Sequence, residues 1–165
     1  MLRSEEELES YICDNQEKFI EQLNSVLKID SKLNFVGRQV VLGKDFRCDL
    51  LYEYEMNNEK NFIVVELKNR PIEIHDLPQI CRYKTVLAEK LKYLNDDMKK
   101  PNVIGVFVSF GIDNGLKQIL LANIFKDIYF IKVEHDFIED KAILVEEYFD
   151  SVKLDKRIED LYGKE

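Results

Sequence analysis

Tryptophan is absent from this chain of 165 residues, and histidine (2), proline (3), cysteine (3) and glycine (6) are scarce. His75 and His135 lie far apart in sequence, so a zinc site or a Ser-His-Asp triad has little to build on. Cys13, Cys48 and Cys81 are odd in number and too widely spaced for a close-pair metal motif, which fits reduced, mostly buried thiols in a reducing compartment. Long hydrophobic runs are missing too: stretches such as "NVIGVFVSF" are about half of what a membrane-spanning helix needs, and "MLRSEEELES" carries no secretory apolar region. The expectation is a soluble, cytoplasmic protein with no membrane partner. Positive charge is in deficit, with 24 Lys/Arg against 32 Asp/Glu and a net charge of -8, which argues against indiscriminate adhesion to nucleic acid.

That deficit is uneven. Residues 36 to 92 hold ten Lys/Arg against nine Asp/Glu, so the negative excess lies outside this middle stretch, where a polyanion is best tolerated. A chain of this length buries roughly 70% of its unfolded surface as one domain. No repeat, linker or low-complexity segment divides it. Residues 1–165 therefore read as a single domain, with a core over about 4–134 and a C-terminal extension over 135–165.

Ser4 and Glu7 form a capping box, and apolar residues from Leu8 through Leu27 recur at helical spacing, predicting one long first helix. "FVGRQVVLG", "RCDLLYEYE" and "NFIVVELK" read as three strands of an antiparallel meander, with "MNNEK" as the turn between the last two. A second helix follows in "HDLPQICRYKTVLAEKLKYL", with Asp76 as N-cap and Pro78 in its first turn. "NVIGVFVSF" is a buried strand, parallel to its neighbour after the helical crossover. "NGLKQILLANIF" reads as a third helix and "DIYFIKVE" as a further strand. The charged tail from His135 is expected to be helical.

Within "NFIVVELKNR" one strand face reads Val64, Glu66, Lys68 and the other Ile63, Val65, Leu67, so a carboxylate and an ammonium stand side by side on a sheet. Glu-x-Lys alone carries almost no information in a chain rich in both residues. Context supplies more: with Asn57 and Asn58 as the central residues of the hairpin, Asp49 falls opposite Glu66. Two facing carboxylates repel each other unless a cation sits between them. Magnesium, a hard ion that prefers oxygen ligands, meets that need. With Lys68 beside it, the set is equipment for metal-assisted phosphodiester hydrolysis.

An acid in the first helix, "GR" in a strand, "DLL" opening on Asp49, "VVELK", and "QICRY" in the next helix resemble, in this order, the PD-(D/E)XK nuclease superfamily. The Gln79 to Tyr83 spacing is similar to the Q-x-x-x-Y motif of its RecB-like and NucS-like branches. The resemblance covers roughly residues 4 to 90. It implies a restriction-endonuclease-like α/β/α fold with a central mixed sheet and a core of order αβββαβ, here with an added helix, strand and tail. It also implies magnesium or manganese bound by Asp49, Glu66 and the Leu67 carbonyl, with Lys68 catalytic and Glu5 as the first-helix acid, Glu9 lying one turn on. Gln79 and Tyr83 would line the site, and Arg38 and Arg82 would contact phosphate. DNA is the implied partner. Two departures stand: Cys48 replaces the proline of the superfamily's name, and the N-terminal DNA-binding domain of NucS-like proteins has no counterpart in these residues, so mismatch specificity is not carried over.

Plainer readings accompany each residue. Glu5 suits any helix N-terminus, Gln79 could complete a capping box with Asp76, and His75 reads first as an exposed loop residue. Asp49, Glu66 and Lys68 could be a cross-strand ion cluster. The functional alternatives to a metal-dependent deoxyribonuclease are a catalytically silent module that docks a partner, through the C-terminal tail for instance, and a dimeric junction resolvase.

Overall fold

The computed structural model describes residues 4–95, 99–122, 125–136 and 141–145. Helices α1 (Glu5–Asp14) and α2 (Gln16–Leu27) precede strands β1 (Asn34–Gly43), β2 (Phe46–Met56) and β3 (Glu59–Leu67). A single 3-10 turn, Ile74–Asp76, leads into α3 (Leu77–Leu94), followed by β4 (Val103–Ser109), α4 (Asn114–Leu121), β5 (Ile128–Asp136) and β6 (Lys141–Val145). The six strands lie in the sheet in chain order. The first three form the expected antiparallel meander, β3, β4 and β5 run parallel, and β6 returns antiparallel to β5.

Strand alternation sorts the core into two layers. Leu50, Tyr52, Ile63, Val65 and Leu67 pack with Leu8 and Ile12 of α1 and Phe19 and Leu23 of α2. On the other face, Leu51, Phe62, Val64 and Phe107 meet Leu77, Ile80 and Tyr83 of α3 and Leu116 and Leu120 of α4. The architecture is therefore α/β/α around a mixed sheet, and the αβββαβ order implied by the resemblance is the order observed. Gly105 permits the close seat of α3 on β4, since a Cβ there would lie 2.9 Å from the Ile80 side chain. No helix among the described residues is long and apolar enough to cross a membrane.

Three local expectations are corrected. The long first helix is two: the chain breaks at Asn15, whose side-chain amide donates to the Tyr11 carbonyl at 2.8 Å and competes with helical continuation. Asp76 makes no side-chain cap to α3; its carboxylate accepts from the Glu73 amide (2.9 Å) and holds Arg70 through two bonds of 2.8 and 2.6 Å. The start of the tail is strand, because β5 runs on to Asp136 and Lys141–Val145 pairs with it. The rest of the tail, 146–165, and with it the suggested docking role, lies outside the described residues.

The β2–β3 hairpin turns on Asn57 and Asn58, both left-handed with φ of 56° and 60°. A two-residue turn needs that conformation at both positions, and Asn tolerates it better than most residues. Asn58→Val should destabilise the protein by about 1–2 kcal/mol, while Asn58→Gly should be neutral or mildly stabilising. Urea unfolding of the two variants checks this.

Candidate metal and phosphodiester site

The hairpin register expected from the turn is present: Leu50 pairs with Val65 and Met56 with Glu59, which carries Asp49 and Glu66 to facing positions. Glu66 is only 3% exposed. Asp49 accepts from the Leu67 amide at 2.7 Å and from Gln39 Nε2 at 3.1 Å. Lys68, one residue beyond β3, donates to Glu66 Oε1 at 2.6 Å, and its amide continues the parallel ladder by donating to the Val108 carbonyl at 3.0 Å. The second Glu66 oxygen, Oε2, is buried with no hydrogen-bond partner.

Burial explains the proton affinities. Desolvation, reinforced by the Asp49 charge, pushes the Glu66 carboxyl up to about 7 despite the Lys68 hydrogen bond. Desolvation also raises Asp49, against the opposing Leu67 and Gln39 bonds. For Lys68 burial alone would favour the neutral amine, but the hydrogen bond and charge of Glu66, with Glu5 and Asp49, outweigh it and raise its pKa. One ammonium thus serves a buried acid and a half-buried one.

Both first-helix acids reach this region, by different routes. Glu5 opens α1 and its Oε1 lies 3.9 Å from Lys68 Nζ, at the exposed rim. Glu9 is buried, accepts a hydrogen bond from Gln39, and lies 3.9 Å from Arg38, whose side chain is otherwise exposed. Gln79 donates to the Tyr83 hydroxyl at 2.7 Å, rather than serving the capping box with Asp76 that was its plainer reading. Burial raises the Tyr83 hydroxyl, and the charges of Glu66 and Asp49 add to the effect, so this pair borders the acidic site. Arg82 and His75 stand further out, lining a cleft with Gln79 and Tyr83, and His75 is held by Glu73 at 3.1 Å. The Leu67 amide is engaged with Asp49 as described.

Gln39 was not singled out by the sequence. It adopts a left-handed φ of 52° within β1, a conformation that costs roughly 1–3 kcal/mol. Its amide bridges Glu9 on α1 to Asp49 on β2, so the strain places one donor between two acids. Nothing in the sequence signals it: the β1–β2 register that brings Gln39 to Asp49, with Arg38 paired to Leu50 and Val40 to Cys48, is seen only in the structure. Also unanticipated is the stitching of the β3–α3 connection: Ser109 Oγ donates to the Arg70 carbonyl, and Ile72 bridges to Ile112.

Among the described residues no group of three or more His, Cys, Asp or Glu side chains is arranged to hold an ion. Two carboxylates are enough for magnesium, which is commonly held by one or two of them and completes its shell with water and substrate oxygens. The unpartnered Glu66 Oε2 beside Asp49 fits such a hard cation better than it fits a finished structural ion pair.

No family model matches the chain, and no curated protein matches it. Among solved structures it is similar to EndoMS in an EndoMS-dsDNA2 complex (TM-score 0.49, 20% identity, covering 81% of this chain and 46% of that one). It is also similar to a repair endonuclease from Pyrococcus abyssi (TM-score 0.43, 23% identity, 72% and 45%) and to EndoMS in apo form (0.42, 21%, 75% and 46%). The chain spans less than half the length of each of these neighbours. Likenesses of this size do not transfer an activity, so the functional reading rests on the site.

Removing the shared cation should cost most where both acids are ionised. Lys68→Ala should destabilise the metal-free protein by about 3 kcal/mol at pH 8 and by much less at pH 5.5, where Glu66 takes up a proton. Adding Glu66→Gln should recover most of the loss. Urea unfolding at the two pH values measures all three terms.

Proposed function

We propose that this chain is a metal-dependent nuclease that hydrolyses phosphodiester bonds, with DNA as the substrate class that the PD-(D/E)XK resemblance implies. The observation that carries the reading is the buried Glu66, set beside the half-buried Asp49 and Lys68, with one of its oxygens left unsatisfied. Structural ion clusters at sheet ends are normally solvated or fully paired. This one is neither.

Asp49 and Glu66 would hold magnesium or manganese, with the Leu67 carbonyl as a further candidate ligand. When bound, such a cation supplies Lewis acidity to a phosphoryl oxygen and lowers the pKa of an adjacent water. The Lys68 ammonium, anchored on Glu66, orients the attacking water and offsets charge that develops on the phosphate oxygens. Gln39 fixes Asp49 from the β1 side. Glu5, at 3.9 Å from Lys68, keeps the ammonium charged at the mouth of the site. Gln79 and Tyr83, tied to each other, border the reacting phosphate, and Arg38 and Arg82 are the outer phosphate contacts.

The pH dependence follows from Glu66. Its folded pKa of about 7 lies above the ordinary glutamate value of 4.5. The folded state therefore binds the extra proton more tightly, and this group's contribution to stability falls as pH rises from about 4.5 to about 7. Metal binding needs the ionised carboxylate and opposes that fall. Manganese should therefore raise the melting temperature more at pH 8 than at pH 5.5, and cleavage should climb through pH 7. Lys68→Ala and Glu66→Ala should each reduce cleavage of single-stranded and duplex DNA at least a hundredfold. Undiminished cleavage by both variants would overturn the mechanism, and calorimetry without detectable manganese binding would favour the non-cleaving docking module.

A further inference from the structure

The cleft beside Tyr83 continues away from the reacting residues. Its volume is about 390 Å³, and Asp45, Phe46, Arg82 and Tyr83 are among its walls. A second groove of about 480 Å³ begins on the other side of Phe46, between the β1–β2 turn and the C-terminal half of α3. Phe46 lines both, and its ring meets Tyr83 edge to face with centroids 6.5 Å apart. Phe46 is thus the wall that the two share, and the pair of them is the track.

The lining is specific in kind. Val86 and Phe46 make an apolar floor in the second groove, Tyr93 stands at its far end 84% exposed, and Lys44 and Lys90 rise from its sides. Arg82, Val86, Lys90 and Tyr93 succeed one another on α3 at three- and four-residue steps, so they share a helix face. Of the two acids on the track, Glu89 is already paired with Lys100. An exposed tyrosine, an apolar floor and three cations in a chain of net charge -8 make a local environment opposite in character to the whole.

We propose that this track binds the unpaired strand of a nucleic acid on its way to the site, with bases stacked on Tyr93 and the apolar floor and phosphates met by Lys44, Lys90 and Arg82. The occupant is taken from the phosphodiesterase reading above, on which this inference rests. Stacking needs open base faces, which a paired duplex does not offer. From Arg82 to Tyr93 the helix rises about 16 Å, room for about four or five nucleotides at ~3.4 Å each in a stacked strand. A peptide partner would use the apolar floor but leave the flanking cations without a role.

The test separates binding from cleavage. Fluorescence anisotropy is measured with Glu66→Gln protein in chelator, using a labelled ten-nucleotide oligothymidylate and a duplex of the same length, over a series of salt concentrations. The single strand should bind more tightly than the duplex. Tyr93→Ala should weaken that binding about tenfold, and Lys44→Ala should flatten the logarithmic salt dependence by about 0.7. Unchanged affinity in Tyr93→Ala, or tighter binding of the duplex, overturns the proposal. So does a sedimenting dimer that Tyr93→Ala dissolves in a protein with no affinity for the oligonucleotide, because the face then serves a second copy of the chain. A wild-type protein that binds as expected but never cleaves would sink the nuclease reading and leave the track standing. Cleavage with an indifferent Tyr93→Ala would do the reverse.

Discussion

A buried carboxylate at the end of an apolar sheet, with a half-buried one facing it and one lysine shared between them, is the constraint around which the rest of the molecule is arranged. Withdrawing an ionised carboxylate from water costs several kcal/mol, and a single ammonium recovers that only where the geometry is good. Here Lys68 satisfies one Glu66 oxygen and leaves the other bare. The folded chain therefore holds a charge arrangement that its own residues do not complete. Such incompleteness is tolerable in a domain whose flanking strands, β2 through β5, are otherwise densely apolar on both faces.

Much of the neighbouring structure keeps these groups from relaxing away. Lys68 sits just past β3, where the chain would be free to move, yet its amide is tied to Val108 and the following turn is fastened at several points. Arg70 is gripped by Asp76 through both guanidinium nitrogens, its carbonyl accepts from Ser109, and Ile72 exchanges backbone bonds with Gly111 and Asp113. The same fastening sets the start of α3 and hence Gln79 and Tyr83. On the opposite side, Gln39 accepts backbone strain to stand between Glu9 and Asp49. A helix, an edge strand and the central hairpin are linked through one side-chain amide.

How far the sequence revealed this depends on whether the determinant was local. The β2–β3 register was legible because Asn57 and Asn58 fix the turn and a hairpin register follows from its turn. Asp49, Glu66 and Lys68 could therefore be brought together on paper. The individual strands and helices were legible from alternation and helical spacing, while their layering around the sheet was implied only by the family resemblance. The break at Asn15 was not, because the apolar spacing continues through it and a single side-chain bond decides the matter. Asp76 was misplaced as a helix cap because its real partner, Arg70, competes for the carboxylate from outside the helix. Gln39 was invisible for a different reason: its role depends on a left-handed backbone that glutamine does not advertise and on contacts reaching 30 residues back to Glu9. The strand that opens the tail was lost because its charges read as a solvated helix.

An acidic chain with two acids facing each other in its site would repel the polyanion of the proposed reaction, and the distribution of cations bears on that conflict. Lys68 faces inward and Arg70 is spent on Asp76, so neither extends an attractive field into solvent. The proposed reading assigns phosphate to Arg38, Arg82, Lys44 and Lys90, of which Arg38 is shared with Glu9 and Lys90 also donates to the Leu42 carbonyl. Long-range steering is therefore weak, and counterion release over a few phosphates supplies only part of an affinity. On the proposed reading what remains would come from short-range contact along an open groove, where an aromatic surface gains from an unpaired base what it cannot gain from a duplex. On that reading such a molecule would discriminate by requiring its substrate to be open, because closed nucleic acid offers it chiefly charge, and charge is what the chain as a whole opposes.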